Sequence, residues 1–477
     1  MGGAAEVHVS LVGRKDLAGE IYRQLRRAIL DGRLPPGGRL PPTRELAGRL
    51  SVSRTTVAVA YDRLGGEGFV TSRVGAGTFV SAAAAGSRDR PRPAGGALRP
   101  RPVWDSISVP TVFDHPAELD FRPGIPDARL FPYQTWRRLL AQQLRPAAVG
   151  GGVYGDPAGH PALRQAIARH IGLSRGVQTD AGNVVVTNGT QQAVDLVARV
   201  LLEPGDRVAV ETPGYGPPRR LLRSLGAEVA AVPVDAEGLV VEAIPPGTRL
   251  VAVSPSHQFP LGMAMSLRRR MALLAWAERH GAAIVEDDYD SEFRYSGRPI
   301  EPLQTLDQHG RVLYVGTFSK TMLPTLRLGF VVVPEPLVEA VRAAKFVADW
   351  HTPLPTQAAL AGFIAQGYLA RHIRRMRRVY QERHQLVVGI LADRFTDRLK
   401  LVPSSTGLHV TATVPGATPA ELEALLERAL AAGVAVLPLS TWDAGPPSQP
   451  GLVLSYGAIP TARIEEGLRG LRRCFDA

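Results

Sequence analysis

From about residue 118 onward, short apolar runs alternate with helical segments, and this alternation limits the fold more than any other feature of the chain. The apolar runs are NVVVTNGT, DRVAVETPGY, TRLVAVSPSH, AAIVEDDYD and RVLYVGTFSK. Apolar strands separated by helices are buried on both faces of a mainly parallel sheet. The pattern predicts an α/β domain over residues 118–477, with a small α+β carboxyl-terminal subdomain from about residue 360.

Residues 10–81 have a different pattern, in which helical segments precede two short β runs. The helix expected over 16–31 has an apolar face made of Leu17, Ile21, Leu25, Ala28 and Ile29. Two shorter helices follow in TRELAGRLS, with Thr43 as the expected N-cap, and in RTTVAVAYDRLGGEG, which ends at glycine. The runs around GAG in FVTSRVGAGTFVS give a hairpin signal. Three helices and a hairpin predict a winged helix-turn-helix.

Residues 82–117 join the two regions and are rich in Ala, Pro, Gly and Arg, without an apolar period. This composition predicts a linker that its prolines keep partly extended. Its arginines could also contact a DNA backbone, but the composition favours a solvated spacer.

The positive charge is concentrated near the amino terminus. The net charge is +12, and residues 14–81 alone carry 12 Lys and Arg against 6 Asp and Glu. Clustering of this kind indicates a nucleic-acid partner, although an arginine-rich composition gives the same excess. The partner expected here is double-stranded operator DNA, read by the amino-terminal end of the third helix and by the wing. The residues predicted to bind DNA are Arg44, Arg54, Thr55, Thr56, Gly75 and Gly77.

The rest of the composition excludes several classes of protein. No apolar run reaches the ~18 residues that span a bilayer, and the amino terminus has no signal pattern. We therefore expect a cytoplasmic protein without a membrane partner. The single cysteine, Cys474, excludes an intramolecular disulfide and a cysteine-based metal cluster.

Lys320 follows a buried β run in LYVGTFSKTMLPTLRLGF. A lysine that forms a Schiff base with an aldehyde cofactor needs an anion site, a carboxylate for a pyridine nitrogen and a planar group against the ring. Asp287 and Tyr289 in EDDYD and Tyr215 in ETPGY can supply the carboxylate, a phenol and the planar group. The anion site is predicted at a helix N-terminus, from Thr187, Gly189, Thr190, Gln191, Thr317, Ser319 and Arg327.

Two known families share these motifs. The stretches LPPTRELAGRLSVSRTTVAVAYDRLGGEGFV and RVGAGTFV resemble the GntR-type winged helix. The stretches YGDPAGHPALR, TNGTQQA, ETPGY, EDDYDSEFRY and GTFSKTMLPTLRLGF resemble fold type I aminotransferases, which bind pyridoxal 5′-phosphate (PLP). The whole chain resembles the MocR/GabR family of transcriptional regulators, of which FRPGIPDARLFP and SPSHQFPLGMAMS are also typical.

The resemblance implies a role for each site residue. Lys320 would form the internal aldimine, Asp287 would pair with the pyridinium nitrogen, and Tyr289 would bind the 3′ oxygen. Tyr215 would stack on the ring, and Arg327 would hold the phosphate. Tyr154 in VYGDP matches a tyrosine that reaches the phosphate site of the neighbouring subunit, which implies a head-to-tail homodimer.

The chain also departs from the aminotransferase pattern. Phe259 stands where those enzymes have the asparagine of NPTG, and His257 is a possible substitute. Val453 stands near the position of the arginine that binds a substrate carboxylate, with Arg219 or Arg463 as alternatives. A carboxylate without its arginine loses about 1.5–3 kcal/mol. Efficient turnover of ordinary amino acids is therefore doubtful.

These observations favour a PLP-dependent transcriptional regulator that senses an amine or amino-acid-like effector through the Lys320 aldimine. The alternative is an active aminotransferase with an accessory winged helix. A scaffold without PLP is disfavoured because the four central residues are intact, namely Lys320, Asp287, Tyr289 and Arg327.

Overall fold

The computed structural model describes residues 9–11, 16–73, 75–82, 98–110, 117–148, 152–296, 300–445 and 449–476. The chain forms two compact units, residues 1–101 and residues 102–477. Most of the linker predicted over 82–117 lies outside the described residues. The boundaries predicted at 10–81 and 118–477 stay predictions.

The first unit has three helices and a hairpin, as the sequence predicts for a winged helix-turn-helix. The helices are α1 (Leu17–Leu30), α2 (Thr43–Leu50) and α3 (Arg54–Gly66), and the strands are β1 (Val70–Arg73) and β2 (Gly77–Val80). The strands pair antiparallel, with Arg73 opposite Gly77. Ile21, Leu25 and Ile29 of α1 are buried in the core of this unit, which confirms the apolar face expected from their spacing.

The cap predicted at the start of α2 is wrong. The N-cap is Pro42, which has no side-chain hydrogen bond to the helix, and Thr43 is the first helical residue. Pro42 has a helix-compatible φ of −55° but a non-helical ψ of 142°, so the proline itself takes the capping position and Thr43 becomes the first helical residue.

The second unit is built on an eight-stranded sheet in the order β4-β11-β10-β9-β8-β5-β6-β7. Strands β10, β9, β8, β5 and β6 run parallel, whereas β11 is antiparallel to both of its neighbours and β7 is antiparallel to β6. The strands are β4 (Val184–Thr187), β5 (Arg207–Thr212), β6 (Glu228–Asp235), β7 (Gly238–Leu239), β8 (Thr248–Val253), β9 (Ala283–Asp288), β10 (Val312–Thr317) and β11 (Gly329–Val332).

Helices cover this sheet, and strands β4, β11 and β10 are almost wholly buried. The mainly parallel sheet is therefore confirmed. The helices of this part are α4 (Tyr133–Gln143), α5 (Pro161–Arg175), α6 (Thr190–Leu201), α7 (Gly216–Ser224), α8 (Leu267–His280), α9 (Leu303–Leu306), α10 (Val338–Asp349) and α11 (Leu354–Ala365).

A smaller α+β part follows the long helix α12 (Tyr368–Arg394). Its antiparallel sheet has the order β12-β13-β16-β15, and β14 pairs in parallel with β3 (Leu119–Asp120) from the start of the unit. The remaining elements are β12 (Lys400–Leu401), β13 (His409–Thr413), α13 (Pro419–Ala431), β14 (Val434–Ala435), β15 (Leu437–Pro438), β16 (Gly451–Ser455) and α14 (Thr461–Asp476).

The large sheet brings distant parts of the sequence to one edge. Because β4, β5, β9 and β10 share a direction, their carboxyl ends lie at the same edge. Lys320 follows β10, Asp287 lies near the end of β9, and Gly189 follows β4. Ligands of open α/β sheets bind at this edge.

Within the described residues, none of the helices has the length and apolar character needed to span a bilayer.

Candidate cofactor and DNA sites

The side chain of Lys320 ends in a polar environment without a direct ion pair among the described residues. Its Nζ donates a hydrogen bond to the backbone carbonyl of Gly124 at 2.8 Å. Burial lowers the pKa of the Lys320 amine, and the charges of Asp290 and Asp287 oppose that shift. A lowered pKa increases the fraction of neutral amine, which is the nucleophilic form.

A cradle for an anion lies at the amino-terminal end of α6. Gly189 is the N-cap and no side chain forms a capping hydrogen bond to the first turn, so its amide groups remain available to an anion. A Cβ at Gly189 would lie 3.0 Å from Nη2 of Arg327. The same guanidinium donates to the carbonyl of Asn188 at 2.7 Å. The N-terminus of α6 and the Arg327 guanidinium therefore lie side by side, as the sequence predicts for Gly189 and Arg327.

Thr317 and Ser319 add hydroxyl groups just before Lys320. Thr317 Oγ1 donates to Ser319 Oγ at 2.9 Å, and Thr317 Oγ1 also accepts from the backbone amide of Ser319 at 3.1 Å. Two other residues predicted for the cradle have partners elsewhere. Thr190 Oγ1 lies 3.5 Å from Asp287 Oδ1, and Gln191 Nε2 donates to the carbonyl of Pro217 at 3.3 Å.

Asp287 is the carboxylate of the site. Burial raises its pKa to about 7, and the charge of neighbouring Asp288 adds to that shift. Asp288 itself forms an ion pair with Arg175 at 2.8 Å and accepts from the phenol of Tyr314 at 2.7 Å. A cationic ring nitrogen next to Asp287 would favour its charged form.

Tyr289 lies one residue beyond β9 and contacts a buried histidine. Its hydroxyl is 2.9 Å from Nδ1 of His257, and the same nitrogen is 2.9 Å from Oδ1 of Asp290. The carboxylate needs a donor, so Nδ1 carries the hydrogen. The Tyr289 oxygen can then only accept a hydrogen bond from Nδ1–H, so the O–H of Tyr289 remains available to donate to a cofactor oxygen. Burial raises the pKa of Tyr289 well above its ordinary value, which keeps the phenol protonated.

An apolar cluster contacts the two tyrosines of the site, Tyr215 and Tyr289. Phe259, Leu439, Trp442 and Val453 form a buried cluster against which Tyr289 packs. The ring of Phe259 meets those of Trp442 at 5.3 Å and Tyr215 at 5.8 Å, both edge to face. We call these four cluster residues the apolar wall, and Lys320, Asp287, Gly189 and Arg327 the cofactor wall.

Neither arginine considered as a replacement lies in the apolar wall. Arg463 forms ion pairs with Glu118 at 2.8 Å and with Glu466. Arg219 donates to the backbone carbonyl of Asp443, and its Nε is buried without a hydrogen-bond partner in the described part of the chain. Desolvation lowers the pKa of Arg219.

Tyr154 is separate from both walls. It is 71% exposed, and its ring stacks on Trp350 with a centroid distance of 4.2 Å. Phe346 and Val347 of α10 are also exposed nearby in the sequence. Tyr154 therefore belongs to an exposed apolar surface.

Three of the residues predicted to bind DNA lie in the first turn of α3. Arg54 and Thr55 are exposed in the first turn, and Arg54 Nε lies 3.4 Å from Thr43 Oγ1. Thr56 is less free, because its amide and hydroxyl both bond to Ser53 Oγ, at 3.1 and 2.7 Å.

Arg44 and the wing complete this surface. Arg44 is exposed in the first turn of α2. Gly75 and Gly77 have φ values of +74° and +113°, which disfavour other residues. A Cβ at Gly77 would also lie 2.9 Å from Nε of Arg39. Backbone conformation therefore favours glycine at both positions of the predicted wing, and close packing adds to this preference at Gly77.

Several residues of the cofactor site were not identified from the sequence. Gly124 and Asp290 bond to Lys320 and His257, respectively. Glu211 is buried at the end of β5, where desolvation raises its pKa to about 8. Gly124 and Asp290 lie in the stretches FRPGIPD and EDDYD, which the sequence singles out, but no local pattern indicates which residues of these stretches contact the site.

Two family models match the chain. One, described as aminotransferase class I and II, matches residues 123–469, and the other, described as bacterial regulatory proteins of the gntR family, matches residues 17–80. The probable rhizopine catabolism regulatory protein MocR of Rhizobium meliloti is 40% identical over 462 residues, covering 96% of this chain and 93% of that protein. The HTH-type pyridoxine biosynthesis transcriptional regulator PdxR of Corynebacterium glutamicum is 33% identical over 439 residues, covering 92% and 91%.

A solved structure shares the second unit. It is LysN, an α-aminoadipate aminotransferase of Thermus thermophilus, complexed with N-(5′-phosphopyridoxyl)-L-leucine. The identity is 30% and the TM-score 0.69, over 75% of this chain and 92% of that one. The class I and II match and this neighbour support pyridoxal phosphate as the cofactor. The residues present fit it, because a phosphate cradle, a carboxylate and a buried amine converge. The chain belongs to the MocR family of HTH-type transcriptional regulators, in which a GntR DNA-binding domain is fused to an aminotransferase class I and II domain.

Proposed function

We propose that this regulator uses Lys320 and bound PLP to sense a primary amine or amino-acid-like effector and to change its affinity for operator DNA. The observation that carries the proposal is the state of Lys320. Its amine has a pKa lowered by burial, bonds to a carbonyl rather than a carboxylate, and lies at the same sheet edge as Asp287 and Gly189.

The side chains of this chain have distinct tasks in the proposal. When bound, the cofactor supplies an aldehyde that condenses with a primary amine and releases water. The first turn of α6 and Arg327 hold its phosphate, with Thr317 and Ser319 as further donors. Asp287 keeps the ring nitrogen protonated, and Tyr289 donates to the phenolic oxygen. Tyr215 covers the ring.

The apolar wall favours regulation over efficient transamination. A guanidinium that binds a substrate carboxylate forms a charge-assisted pair worth about 1.5–3 kcal/mol. Val453 offers no such group, and it is fully buried between apolar neighbours. An amine effector without a carboxylate suits this wall better than an α-amino acid does.

The exposed surface around Tyr154 supports a homodimer, head to tail in the proposed arrangement. Tyr154, Trp350 and Val347 are 71%, 39% and 79% exposed, respectively. Contiguous exposed apolar residues of this kind mark interaction surfaces. A second copy of the chain would cover them and bring Tyr154 to its neighbour's phosphate site.

The proposed operator contacts come from the winged helix. Arg54 reads a guanine edge from the first turn of α3, while Arg44, Thr55, Thr56 and the wing contact the backbone. A regulator that binds operator DNA works in the compartment that holds that DNA, which is the basis for proposing a cytoplasmic location.

The experiment combines spectra with operator binding. The purified protein is saturated with PLP and titrated with a panel of primary amines while visible absorbance and operator affinity are followed. We expect one amine class to change both quantities at the same concentration. A spectral change that leaves operator affinity constant, together with keto-acid-dependent amino transfer, would establish the aminotransferase alternative instead.

A further inference from the structure

The amino-terminal half of α12 presents a row of arginines without acidic partners. Arg371, Arg374, Arg375 and Arg378 are all exposed, and their three- and four-residue spacings place them on one helix face. We call this row the arginine stripe. None of its members forms an ion pair within the part of the chain that the structure describes.

The surroundings of the arginine stripe increase its charge rather than neutralise it. The chain has no Asp or Glu from residue 350 to residue 381. Arg138 of α4 donates to the hydroxyl of Tyr368 at 2.7 Å and lies 5.7 Å from the centre of that ring. Arg371 lies 4.6 Å from the same ring. The positive charges of Arg138 and Arg371 therefore lie next to the same tyrosine, and their repulsion is unfavourable without a nearby anion.

The far end of α12 shows the opposite arrangement. Arg394 pairs with Glu465 at 3.2 Å, and Arg469 of α14 pairs with the same carboxylate at 3.1 Å. Arg398, just beyond α12, pairs with Asp476 at 3.3 Å. Each of these three arginines thus has an acidic partner. The lack of compensation in the arginine stripe is a local property and does not follow from arginine content.

We propose that the arginine stripe is a second DNA-binding surface, carried by the aminotransferase-like unit in addition to the winged helix. DNA is the polyanion that this family already binds, and each of its base pairs offers phosphates that arginine contacts bidentately. The stripe extends about 10 Å along the helix axis, enough for several phosphates. Contacts of this kind are independent of base sequence, and the inference does not depend on the cofactor.

The test compares two triple variants of the full-length protein that lose the same charge. One is Arg374→Gln, Arg375→Gln and Arg378→Gln in the stripe, and the control is Arg394→Gln, Arg398→Gln and Arg469→Gln in the paired set. Both bind a mixed-sequence duplex of about 60 base pairs, roughly six helical turns, over a range of salt concentrations. We expect the stripe variant to reduce the magnitude of the log–log salt slope by about 2 to 3, at about 0.9 per lost phosphate contact.

The control variant should keep the wild-type slope. Equal reductions in both variants would mean that only net charge matters, and an unchanged slope in the stripe variant would mean that the stripe contacts another partner or none. Either result overturns the proposal. Arg378→Gln alone, which removes one exposed and unpaired side chain, should reduce the slope by about 0.9 and tests the same point if a triple variant folds poorly.

Discussion

The cofactor wall and the apolar wall of the same site differ in chemistry. The cofactor wall collects an amine, a carboxylate and a guanidinium around a helix N-terminus. The apolar wall is a packed cluster of two aromatic and two aliphatic side chains. The cofactor wall carries groups that suit PLP, whereas none of the four residues of the apolar wall has a cationic group that could bind a carboxylate. A site of this kind can bind its cofactor and select amines by shape.

Lys320→Ala has the largest expected effect on this comparison. The variant loses the only proposed attachment of the cofactor, so we expect complete loss of the visible absorbance of lysine-bound PLP. The measurement is an absorbance spectrum after incubation with the cofactor and removal of its excess. Lys345→Ala is the matched control, because that lysine is also buried but bonds to Asp349 at 2.8 Å. A band that survives in Lys320→Ala would remove this residue from the mechanism.

Glu211→Gln tests the desolvation next to the cofactor wall. The unfolded carboxyl has a pKa near 4.5, whereas burial raises the folded value to about 8. Between these values the unfolded chain releases a proton that the folded protein keeps, so stability falls as pH rises. The free energy of unfolding of the wild type should fall between pH 5 and 9. We expect that of cofactor-free Glu211→Gln to fall less, and the difference to be on the order of 4 kcal/mol. Urea unfolding measures it, with exposed Glu242→Gln as the control; parallel pH curves would contradict the prediction.

Arg327→Ala tests the anion cradle. Loss of one charge-assisted contact costs about 1.5–3 kcal/mol, which corresponds to a roughly 10- to 150-fold weaker affinity for PLP. A cofactor titration followed by absorbance measures this change. Arg463→Ala removes an arginine whose partners are Glu118 and Glu466 and should leave the affinity as in wild type. Equal losses in both variants would place the phosphate elsewhere.

Tyr289→Phe tests the phenol that packs against the apolar wall and bonds to His257. The lost hydrogen bond is worth about 0.5–1.5 kcal/mol, so we expect the pH midpoint of the visible band to move by about 0.4 to 1.1. If His257 acts through Tyr289, then His257→Gln should add nothing in the Tyr289→Phe background. Additive shifts would show that the histidine acts on the cofactor by another route.

The smallest expected effect concerns the apolar wall itself. Matched pairs of an amino acid and its decarboxylated amine, such as phenylalanine and phenethylamine, are titrated against the PLP-bound protein. Without a guanidinium partner the carboxylate should give no advantage, so the amine should bind as well as the amino acid or better. A roughly tenfold lower Kd for the amino acid, which corresponds to about 1.4 kcal/mol of binding free energy, would indicate an arginine that binds the carboxylate.

Local patterns in the sequence predicted the elements and the order of the site residues along the strands. Alternating apolar runs indicated the large sheet, and the residues at strand ends indicated Lys320, Asp287 and Gly189. The partners of these residues are distant in sequence. Lys320 bonds to Gly124 across 196 positions, and no periodicity encodes such a contact. The cap at Thr43 failed for a local reason, because the preceding proline changed the start of the helix.

The pairing of the arginines along α12 and just beyond it is only partly visible in the sequence, which shows the lack of nearby acidic residues but not the distant partners. The stretch LARHIRRMRRVY is rich in arginine, but the arginine content of a stretch is the same whether its charges are paired or unpaired. Arg394 and Arg398 pair with the adjacent Asp393 and Asp397 and also with Glu465 and Asp476 of α14, far along the chain. Tertiary structure therefore decides which positive charge remains available to a partner.

Operator affinity measured in the presence and absence of an effector amine tests the central claim most directly, with PLP-saturated wild type and Lys320→Ala compared side by side. The account predicts that an amine that changes the spectrum of wild type also changes its operator Kd, and that neither change occurs in Lys320→Ala. The same shift in operator Kd in both proteins would contradict it, because the amine would then act without the lysine-bound cofactor.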